Sequence, residues 1–399
     1  MSTYNSVPEA LEALKKGKII VITDDEDREN EGDLVMAAQF ATTQTLNFMA
    51  SFAKGLICMP MDEETATKLK LAPMSKVNTD PHATAFTESI DHIDTGTGIS
   101  ATERALTAVK ATMEDVKAED FRRPGHMFPL VSKDHGVLVR PGHTEATVDL
   151  MKLAGCAPVG ICCEIMDDTG EMMKTPELME FAKEHGLVFI TIQALIAYRL
   201  QHDYPFTKEA TAKLPTSYGN FTVHAYYDKL AKIEHLALVL GDISSPDPVL
   251  TRVHSECLTG DALGSLRCDC GKQYGKAMEE IAKEGRGVLL YLRQEGRGIG
   301  LVNKIKAYEL QDTGLDTVEA NIALGFPEDM RNYAIAANML KDLSVEKVTL
   351  MTNNPDKVEQ LAAYGSCIVT QVPTQVSPCL ENIQYLKTKK EKMRHQLTF

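Results

Sequence analysis

A short polar segment, residues 201–207, interrupts the apolar pattern near the middle of this chain and places Pro205 shortly after a helix-like apolar run. A polar stretch with a proline favours a linker between two folding units. The chain has 399 residues, which is more than one hydrophobic core usually organises. We therefore expect two consecutive globular enzyme-sized domains, residues 1–203 and 204–399.

Each half mixes apolar runs of strand length with stretches of helical periodicity, which predicts an α/β fold (α+β, with mixed sheets) in both domains. The N-terminal half has predicted strands at residues 18–23, 34–38, 55–59, 136–139 and 187–191 and predicted helices at residues 7–16, 101–113, 148–153 and 175–184. The C-terminal half has predicted strands at residues 221–227, 236–240, 288–292 and 348–352 and predicted helices at residues 274–283, 301–311 and 332–343.

The charge and the cysteine content exclude several classes of function. A formal net charge of −14 disfavours nonspecific binding to nucleic acid or to an anionic membrane surface, because both need basic patches. No apolar run approaches the length of a membrane span, and the first residues do not read as a secretion signal. The nine cysteines do not read as a disulfide framework in a chain of this length. We expect a cytoplasmic protein with reduced thiols and with neither a nucleic-acid nor a membrane partner.

Three of the cysteines, Cys257, Cys268 and Cys270, lie close together in a polar stretch. A catalytic zinc ion takes three protein ligands and leaves its fourth position to water or substrate, whereas a structural zinc ion takes four. The alternative is that these cysteines are ordinary small core residues. Charged neighbours such as Arg252 and Asp261 make the stretch too polar for that reading. The cluster therefore predicts a catalytic zinc site.

An acidic loop, residues 24–33, carries seven carboxylates and one arginine between two apolar runs. Like charges at this density repel one another unless cations lie among them, and carboxylate oxygens suit Mg²⁺ or Mn²⁺. The alternative is a solvated surface loop. Two later turns of the form Arg-Pro-Gly-His end at His126 and His143. Together these groups suit proton transfer on a phosphorylated sugar, with a metal stabilising an enediolate.

The N-terminal half also carries a combination of short blocks, at residues 24–33, 78–80, 84–87, 97–100, 123–130, 140–145 and 163–164. In combination, these blocks resemble 3,4-dihydroxy-2-butanone 4-phosphate synthase over about residues 1–200. The resemblance implies conversion of D-ribulose 5-phosphate to L-3,4-dihydroxy-2-butanone 4-phosphate and formate, with Mg²⁺ or Mn²⁺ as cofactor. It further implies that Glu29 and His143 hold the metal and that His126 and Glu164 transfer protons. The implied substrate contacts are Arg28, Asp33, Arg140, Thr144 and Glu164.

In the C-terminal half, the cysteine block is followed by blocks at residues 285–287, 291–301, 316–321, 324–326, 329–331 and 352–357. These blocks resemble GTP cyclohydrolase II over about residues 205–399. The resemblance implies a zinc-dependent hydrolysis of GTP to 2,5-diamino-6-(5-phospho-ribosylamino)pyrimidin-4-one, formate and pyrophosphate. It implies Asp329 as proton acceptor and Arg331 as nucleophile, although an arginine with a pKa above 12 suits an electrostatic clamp better. The implied GTP contacts are Arg252, Glu256, Gln273, Glu295, Gly296, Arg297, Thr317, Thr352 and Lys357.

We therefore expect a bifunctional enzyme, as a homodimer, whose halves make the two starting compounds of riboflavin synthesis. Three residues, His135, Ser344 and Arg394, stand where these families usually have glycine. One alternative is that only the GTP cyclohydrolase II half is active and the N-terminal half is a scaffold, because His135 would strain its turn if the backbone there has positive φ. In a second alternative, the cysteines form a structural zinc module that binds nucleic acid or protein. The lack of a fourth ligand and the acidic charge argue against it.

Overall fold

The computed structural model describes residues 4–398. Its internal contacts divide the chain between Arg199 and Leu200 into an N-terminal unit and a C-terminal unit. The sequence led us to place the boundary after residue 203. The first two residues of the expected linker belong to a helix, Ile192–His202. Among residues 4–398, none of the helices combines the length and the apolar character that a membrane crossing requires.

The N-terminal unit is built on a mixed sheet of seven strands. The strands are β1 (Ile20–Thr23), β2 (Gly32–Ala37), β3 (Cys58–Met61), β4 (Ile90–His92), β5 (Phe121–Val131), β6 (Gly160–Glu164) and β7 (Val188–Thr191). The helices are α1 (Val7–Lys15), α2 (Thr43–Phe48), α3 (Glu63–Lys68), α4 (Ala101–Ala111), α5 (His143–Leu153), α6 (Thr175–His185) and α7 (Ile192–His202). The order across the sheet is β4-β5-β3-β6-β2-β1-β7.

Both faces of this sheet are covered. Along β1 and β2, Val21 and Leu34 belong to one buried apolar cluster, whereas Ile20 and Val35 belong to another. A strand that is buried on both faces has a continuous apolar run rather than an alternating pattern, which is why the sequence predicted these two strands. They pair antiparallel with Thr23 opposite Gly32, so the acidic loop connects neighbouring strands.

The C-terminal unit is built on a second seven-stranded sheet, of order β14-β13-β11-β12-β10-β9-β8. Its strands are β8 (Phe206–Thr216), β9 (Gly219–Asp228), β10 (Ile233–Leu240), β11 (Val249–Ser255), β12 (Gly287–Leu292), β13 (Lys347–Met351) and β14 (Cys367–Val372). Its helices are α8 (Leu258–Asp261), α9 (Cys270–Glu284), α10 (Leu301–Asp312), α11 (Thr317–Ala323), α12 (Ala334–Asp342), α13 (Pro355–Ala363) and α14 (Ile383–Lys392).

Three strands of this second sheet, β11, β12 and β13, are parallel, so their carboxyl ends lie at the same edge. Cys257 follows β11, Glu295 follows β12 and Thr352 follows β13. Ligands of parallel α/β sheets bind outside the carboxyl ends of the strands. The topology therefore gathers three sequence blocks that are far apart in the chain.

The structure corrects several predicted elements. The predicted strand at residues 136–139 is wrong: Gly136–Leu138 forms a 3₁₀ turn, because His135 and Gly136 both adopt positive φ, at 61° and 58°. The predicted helix at residues 148–153 begins five residues earlier, at His143. The sequence patterns also missed the strands β4, β5, β6, β8, β11 and β14.

Candidate active sites

The acidic loop of the N-terminal unit is organised by one buried carboxylate, that of Asp24. Its Oδ2 accepts a hydrogen bond from Arg28 Nη1 at 2.8 Å and another from the backbone N–H of Glu29 at 3.1 Å. Its Oδ1 accepts one from the backbone N–H of Glu31 at 2.9 Å. Because Asp24 is satisfied by groups of its own loop, it sets the conformation in which Glu29 projects from the chain.

Glu29 lies beside His143, which is the first residue of α5. Glu29 Oε2 is 3.7 Å from His143 Nδ1 and 2.9 Å from Arg28 Nη1, and Glu29 Oε1 is 3.7 Å from His82 Nε2. His143 Nε2 is buried and has no hydrogen-bond partner within residues 4–398. The ligand atoms of Asp24, Glu29 and His143 all lie within 4.8 Å of one another. Oxygen and imidazole ligands suit a hard divalent cation.

The electrostatics of this cluster show a concentration of negative charge. Burial by itself would lower the pKa of His143, but the charges of Asp33, Asp24 and Glu29 raise it to about 9. A hydrogen bond with His143 and the charge of Arg28 lower the pKa of Glu29 to about 2. The carboxylates of this cluster therefore favour positive charge at the buried imidazole of His143.

Asp33 and Glu164 face each other across the antiparallel strands β2 and β6. Asp33 Oδ1 is buried with no partner in the described part of the chain, and burial raises the pKa of Asp33. Burial and the charge of Asp33 raise the pKa of Glu164 to about 7. Glu164 Oε2 accepts a hydrogen bond from the backbone N–H of Leu56 at 2.9 Å. At Gly55, a Cβ would come within 2.7 Å of the same oxygen, so only glycine leaves room for this carboxylate.

His126 lies on β5, which β3 separates from β6 and Glu164. Its partner is Asp91 on β4: His126 Nδ1 is 2.8 Å from Asp91 Oδ2, and the His126 backbone N–H donates to Oδ1 at 2.8 Å. Within residues 4–398, His126 makes no hydrogen bond or ion pair with Glu29 or His143. Asp91, which orients the imidazole, was missed from the sequence because a single aspartate on a short strand has no distinguishing pattern.

Arg140 and Thr144 lie at the start of α5. The guanidinium of Arg140 donates to Glu145 Oε2 at 2.5 Å, to Thr84 Oγ1 at 2.9 Å and to the carbonyl of His82 at 2.9 Å. Thr144 is buried in the first helical turn. Backbone N–H groups at a helix N-terminus together with an arginine make a site that favours an anion.

In the C-terminal unit, the three cysteines converge as the sequence predicted. Cys257 precedes α8, Cys270 begins α9, and Cys257 Sγ lies 3.6 Å from Cys268 Sγ. The three sulfur atoms lie within 4.8 Å of one another. Zinc–sulfur bonds of about 2.3 Å at tetrahedral angles separate two sulfurs by roughly 3.8 Å, so the cluster has the dimensions of a zinc site.

The surroundings of the cysteines also fit a cation. Gly260 lies against them, and a Cβ there would come within 3.1 Å of both Cys257 Sγ and Cys268 Sγ. Lys304 Nζ donates to Cys257 Sγ at 3.1 Å and to Glu295 Oε1 at 2.7 Å. Hydrogen bonds from Cys268 and Cys270, together with the charge of Lys304, lower the pKa of Cys257. A thiolate is the form that binds a metal.

One cleft joins the cysteines to most of the expected GTP contacts. The residues of the expected site that line it are Arg252, Glu256, Cys257, Cys268, Cys270, Gln273, Glu295, Gly296, Arg297, Thr317, Arg331, Thr352 and Lys357. Asp329 does not line the cleft but binds Arg331. Five further lining residues, Lys304, Tyr308, Tyr385, Lys389 and His395, were not singled out from the sequence.

The cleft is cationic although the whole chain is acidic. Arg297 has positive φ, at 63°, and both terminal guanidinium nitrogens are buried without an acceptor among the described residues. Lys357 Nζ is buried and donates to the carbonyl of Val253 at 2.7 Å. Burial and the charges of Arg252 and Arg331 lower the pKa of Lys357. Buried cations that lack anionic partners are expensive, so the cleft is preorganised for an anion.

Arg331 is held by Asp329 at two points. Arg331 Nε donates to Asp329 Oδ1 at 2.9 Å, and Nη2 donates to Oδ2 at 2.5 Å. Burial by itself would lower the pKa of Arg331, but Tyr333 and Asp329 raise it above the ordinary arginine value. This bidentate pair keeps the guanidinium charged and fixes its plane.

The guanidinium of Arg252 also lies at the cleft, but it is already bound to groups of the protein. Its Nη1 donates to the carbonyl of Met351 at 2.9 Å, and its Nη2 donates to Gln273 Oε1 at 2.7 Å. Gln273 in turn donates to Asp269, which lies between two of the cysteines. Arg252 and Gln273 therefore brace the cysteine loop from inside the cleft.

Two family models match consecutive parts of this chain. The family model of 3,4-dihydroxy-2-butanone 4-phosphate synthase matches residues 8–198, and that of GTP cyclohydrolase II matches residues 207–373. The riboflavin biosynthesis protein RibBA of Bacillus cytotoxicus is 54% identical over 394 residues, covering 99% of both chains. The RibBA protein of Bacillus velezensis is 54% identical over 397 residues, covering 99% of this chain and 100% of that relative.

A solved structure shares the architecture. It is that of RibBX, a two-domain 3,4-dihydroxy-2-butanone 4-phosphate synthase from A. baumannii, which is 31% identical with a TM-score of 0.64. The match covers 92% of this chain and 99% of that one.

Proposed function

Because this chain belongs to the family of bifunctional riboflavin biosynthesis proteins that join a 3,4-dihydroxy-2-butanone 4-phosphate synthase to a GTP cyclohydrolase II, we propose that each unit carries a complete set of catalytic side chains. The N-terminal unit is a lyase that converts D-ribulose 5-phosphate to L-3,4-dihydroxy-2-butanone 4-phosphate and formate. The C-terminal unit is a hydrolase that converts GTP to 2,5-diamino-6-(5-phospho-ribosylamino)pyrimidin-4-one, formate and pyrophosphate. An inactive N-terminal scaffold receives no support, since the relatives match over 99% of the chain.

In the N-terminal unit, Glu29 and His143 would hold Mg²⁺ or Mn²⁺, and this is supported by the buried Nε2 of His143, which has no hydrogen-bond partner within residues 4–398. The metal would stabilise the negative charge of an enediolate. Asp24 is better suited to shaping the loop, because its oxygens already accept three hydrogen bonds. Arg28 remains close enough to Glu29 to contact the same substrate.

Proton transfer in this unit would fall to Glu164 and His126. A carboxyl group whose pKa is about 7 exchanges protons readily near neutral pH, and Asp33 opposite it sustains that value. Asp91 holds His126 in one orientation. Arg140 and Thr144 would bind the phosphate of the sugar at the start of α5.

In the C-terminal unit, the three thiolates would hold Zn²⁺, which would supply the activation of water that hydrolysis of GTP near neutral pH requires. Lys304 would stabilise the thiolate of Cys257. The two terminal nitrogens of Arg297, buried and without an acceptor in the described part of the chain, are the observation that carries the assignment of a triphosphate site. Arg331 would act as an electrostatic clamp on the phosphates rather than as a nucleophile, because Asp329 keeps it charged.

The remaining expected GTP contacts support the same site. Thr352, Thr317 and Glu256 come from three separate elements and line one cleft. Glu295 is occupied by Lys304 and by the backbone N–H of Leu258, so we assign it to holding the loop that carries Gly296.

The test separates the two units. Formate release is measured from each substrate alone in Cys268→Ser and in Glu29→Gln. Cys268→Ser should lose at least about 100-fold of the GTP activity and keep the ribulose 5-phosphate activity, and Glu29→Gln should do the reverse. Cys379→Ser, which removes a cysteine outside the cluster, and Glu26→Gln, which changes an exposed carboxylate in the same loop, serve as controls. Full activity on both substrates in either test variant would contradict the assignment.

A further inference from the structure

The C-terminal segment, defined as residues 383–398, lies beyond the part of the chain that matches the GTP cyclohydrolase II family model, which ends at residue 373. It contains α14 and the tail after it. Four of its residues, Tyr385, Lys389, Met393 and His395, nevertheless line the same cleft as the cysteines. The segment is therefore part of the wall of the proposed GTP site.

Ion pairs and a backbone hydrogen bond fasten the segment to the rim of that cleft. Lys392 pairs with Glu319 on α11 at 3.1 Å. Arg394 pairs with Asp356 and with Glu359 on α13, both at 3.0 Å. The backbone N–H of Gln396 donates to the carbonyl of Asn353 at 2.9 Å. Because these partners flank Thr317 and Lys357, the segment is anchored on two sides of the proposed triphosphate site.

Several side chains of the C-terminal segment are also buried. Leu386, Met393 and Leu397 are buried, and Lys389 Nζ donates to Asp269 Oδ1 at 2.8 Å. Asp269 lies between Cys268 and Cys270 in the sequence. The segment thus reaches from the cysteine loop to the cationic end of the cleft.

The side chain of His395, in the same segment, has a ring nitrogen without a hydrogen-bond partner in the described part of the chain. Its Nε2 is buried and makes no hydrogen bond to any residue of the described range, 4–398. Burial and then the charges of Lys389, Arg331, Lys357 and Arg297 lower the pKa of His395 to about 2. The imidazole is therefore neutral, and among the cations near it the two terminal nitrogens of Arg297 are buried without an acceptor within residues 4–398.

The positive charges around His395 indicate which part of a bound nucleotide would contact it. A group surrounded by cations faces the negatively charged part of a ligand, which in GTP is the triphosphate. A neutral N–H donor adds a hydrogen bond to a phosphate oxygen without adding a further positive charge, which the crowded cations would repel.

We propose that His395 is a substrate-binding residue of the C-terminal unit, whose Nε2–H donates a hydrogen bond to the triphosphate of GTP, and that the C-terminal segment holds it in place. The proposal rests on the proposed GTP cyclohydrolase II function of this cleft. It extends the binding site by a segment that the family model does not include.

The experiment uses the full-length, zinc-loaded protein and two inhibitors, α,β-methylene GTP and GMP. His395→Ala should raise the inhibition constant of the triphosphate analogue about 10-fold and that of GMP less than about 2-fold, because only the former carries the outer phosphates. His395→Gln, which keeps an N–H donor, should recover most of the affinity for the analogue. Gln396→Ala changes the neighbouring exposed side chain and should leave both constants unchanged.

The outcomes distinguish this proposal from its premise. If wild-type protein hydrolyses GTP but His395→Ala weakens both inhibitors equally, or neither of them, the role of His395 is refuted while the function stands. If His395→Gln is as weak as His395→Ala for the analogue, the hydrogen bond is refuted. If zinc-loaded wild-type protein does not hydrolyse GTP, the proposed function itself fails. Zinc content, measured for each variant, reports whether the cysteine loop remains intact.

Discussion

The close approach of Gly260 to the cysteines makes Gly260→Ala a sharp test of the proposed zinc site. Gly260 lies in α8, and an added Cβ would come 3.0 Å from Cys268 Sγ, 3.1 Å from Cys257 Sγ and 3.3 Å from Cys270 Cβ. Ordinary contacts between such atoms are about 3.5–4.0 Å, so the sulfurs must move apart by roughly half an ångström. Zinc–sulfur bonds of about 2.3 Å leave little freedom for such a movement.

Two effects of this substitution have opposite signs. Alanine is favoured over glycine in a helix by up to about 1 kcal/mol, which offsets part of the cost of these close contacts in the metal-free protein. Displacing the sulfurs should reduce zinc affinity about 10- to 100-fold, which corresponds to about 1.4–2.8 kcal/mol. We therefore expect zinc binding and GTP turnover to fall while the melting temperature of the metal-free protein changes little.

The assay is competition for zinc against a chromophoric chelator, with formate release from both substrates measured on the same preparations. Gly275→Ala is the matched control, because Gly275 lies in α9 and its nearest neighbour would be the hydroxyl of Tyr218, at 3.3 Å. It should gain helix stability and keep its zinc affinity. Unchanged zinc affinity in Gly260→Ala, or an equal loss in Gly275→Ala, would refute the reasoning.

Three further predictions address the two units separately. The pKa of Glu164 is about 7 in the folded protein against an ordinary 4.5, so the folded state binds the extra proton and stability falls as pH rises through this window. In metal-free protein, Glu164→Gln should remove up to about 3 kcal/mol of this fall in denaturant titrations between pH 5 and 8, and an unchanged slope would contradict it. Ser344 has a φ of 59°; Ser344→Gly should therefore stabilise the protein by about 1 kcal/mol in thermal unfolding, whereas Ser344→Ala should not. A zinc-selective chelator should abolish GTP turnover and spare ribulose 5-phosphate turnover in the presence of Mg²⁺, whereas equal loss of both with unfolding would indicate a structural metal.

Three residues stand where the two families usually have glycine, and their backbone conformations show how far the sequence predicts local structure. His135, Ser344 and Arg394 all adopt positive φ, at 61°, 59° and 56°. All three positions at which the families usually have glycine therefore have left-handed backbone, although the sequence analysis considered positive φ only at His135. At His135 the turn is nevertheless formed, because Arg199 Nη1 donates to the His135 carbonyl at 2.7 Å and also to Asp149. A contact between residues so far apart in the chain has no local pattern.

The strands β1 and β2, which the sequence predicted, differ in composition from β5 and β8, which it missed. The strands β1 and β2 are continuous apolar runs covered on both faces, and the sequence predicted both. By contrast, β5 contains Arg122, Arg123 and His126, and β8 is largely exposed, so neither has an apolar run of strand length. Their pairing is stabilised by neighbouring strands rather than by their own composition.

The two candidate sites also differ in how much of each can be predicted from the sequence. Residue types that the chemistry requires, such as three clustered cysteines, are visible from the chain because their spacing is local. The acidic loop is different: seven carboxylates look alike in sequence, yet Asp24 is buried among hydrogen-bond donors while Glu29 faces His143. The resemblance implied Glu29 as a metal ligand, but only the fold shows that Asp24 is held by donors of its own loop. The same holds for His395, whose solitary place in the tail carries no signal until the fold sets it among the cations of the cleft. In the structure His395 stands out because its buried Nε2 has no hydrogen-bond partner within residues 4–398.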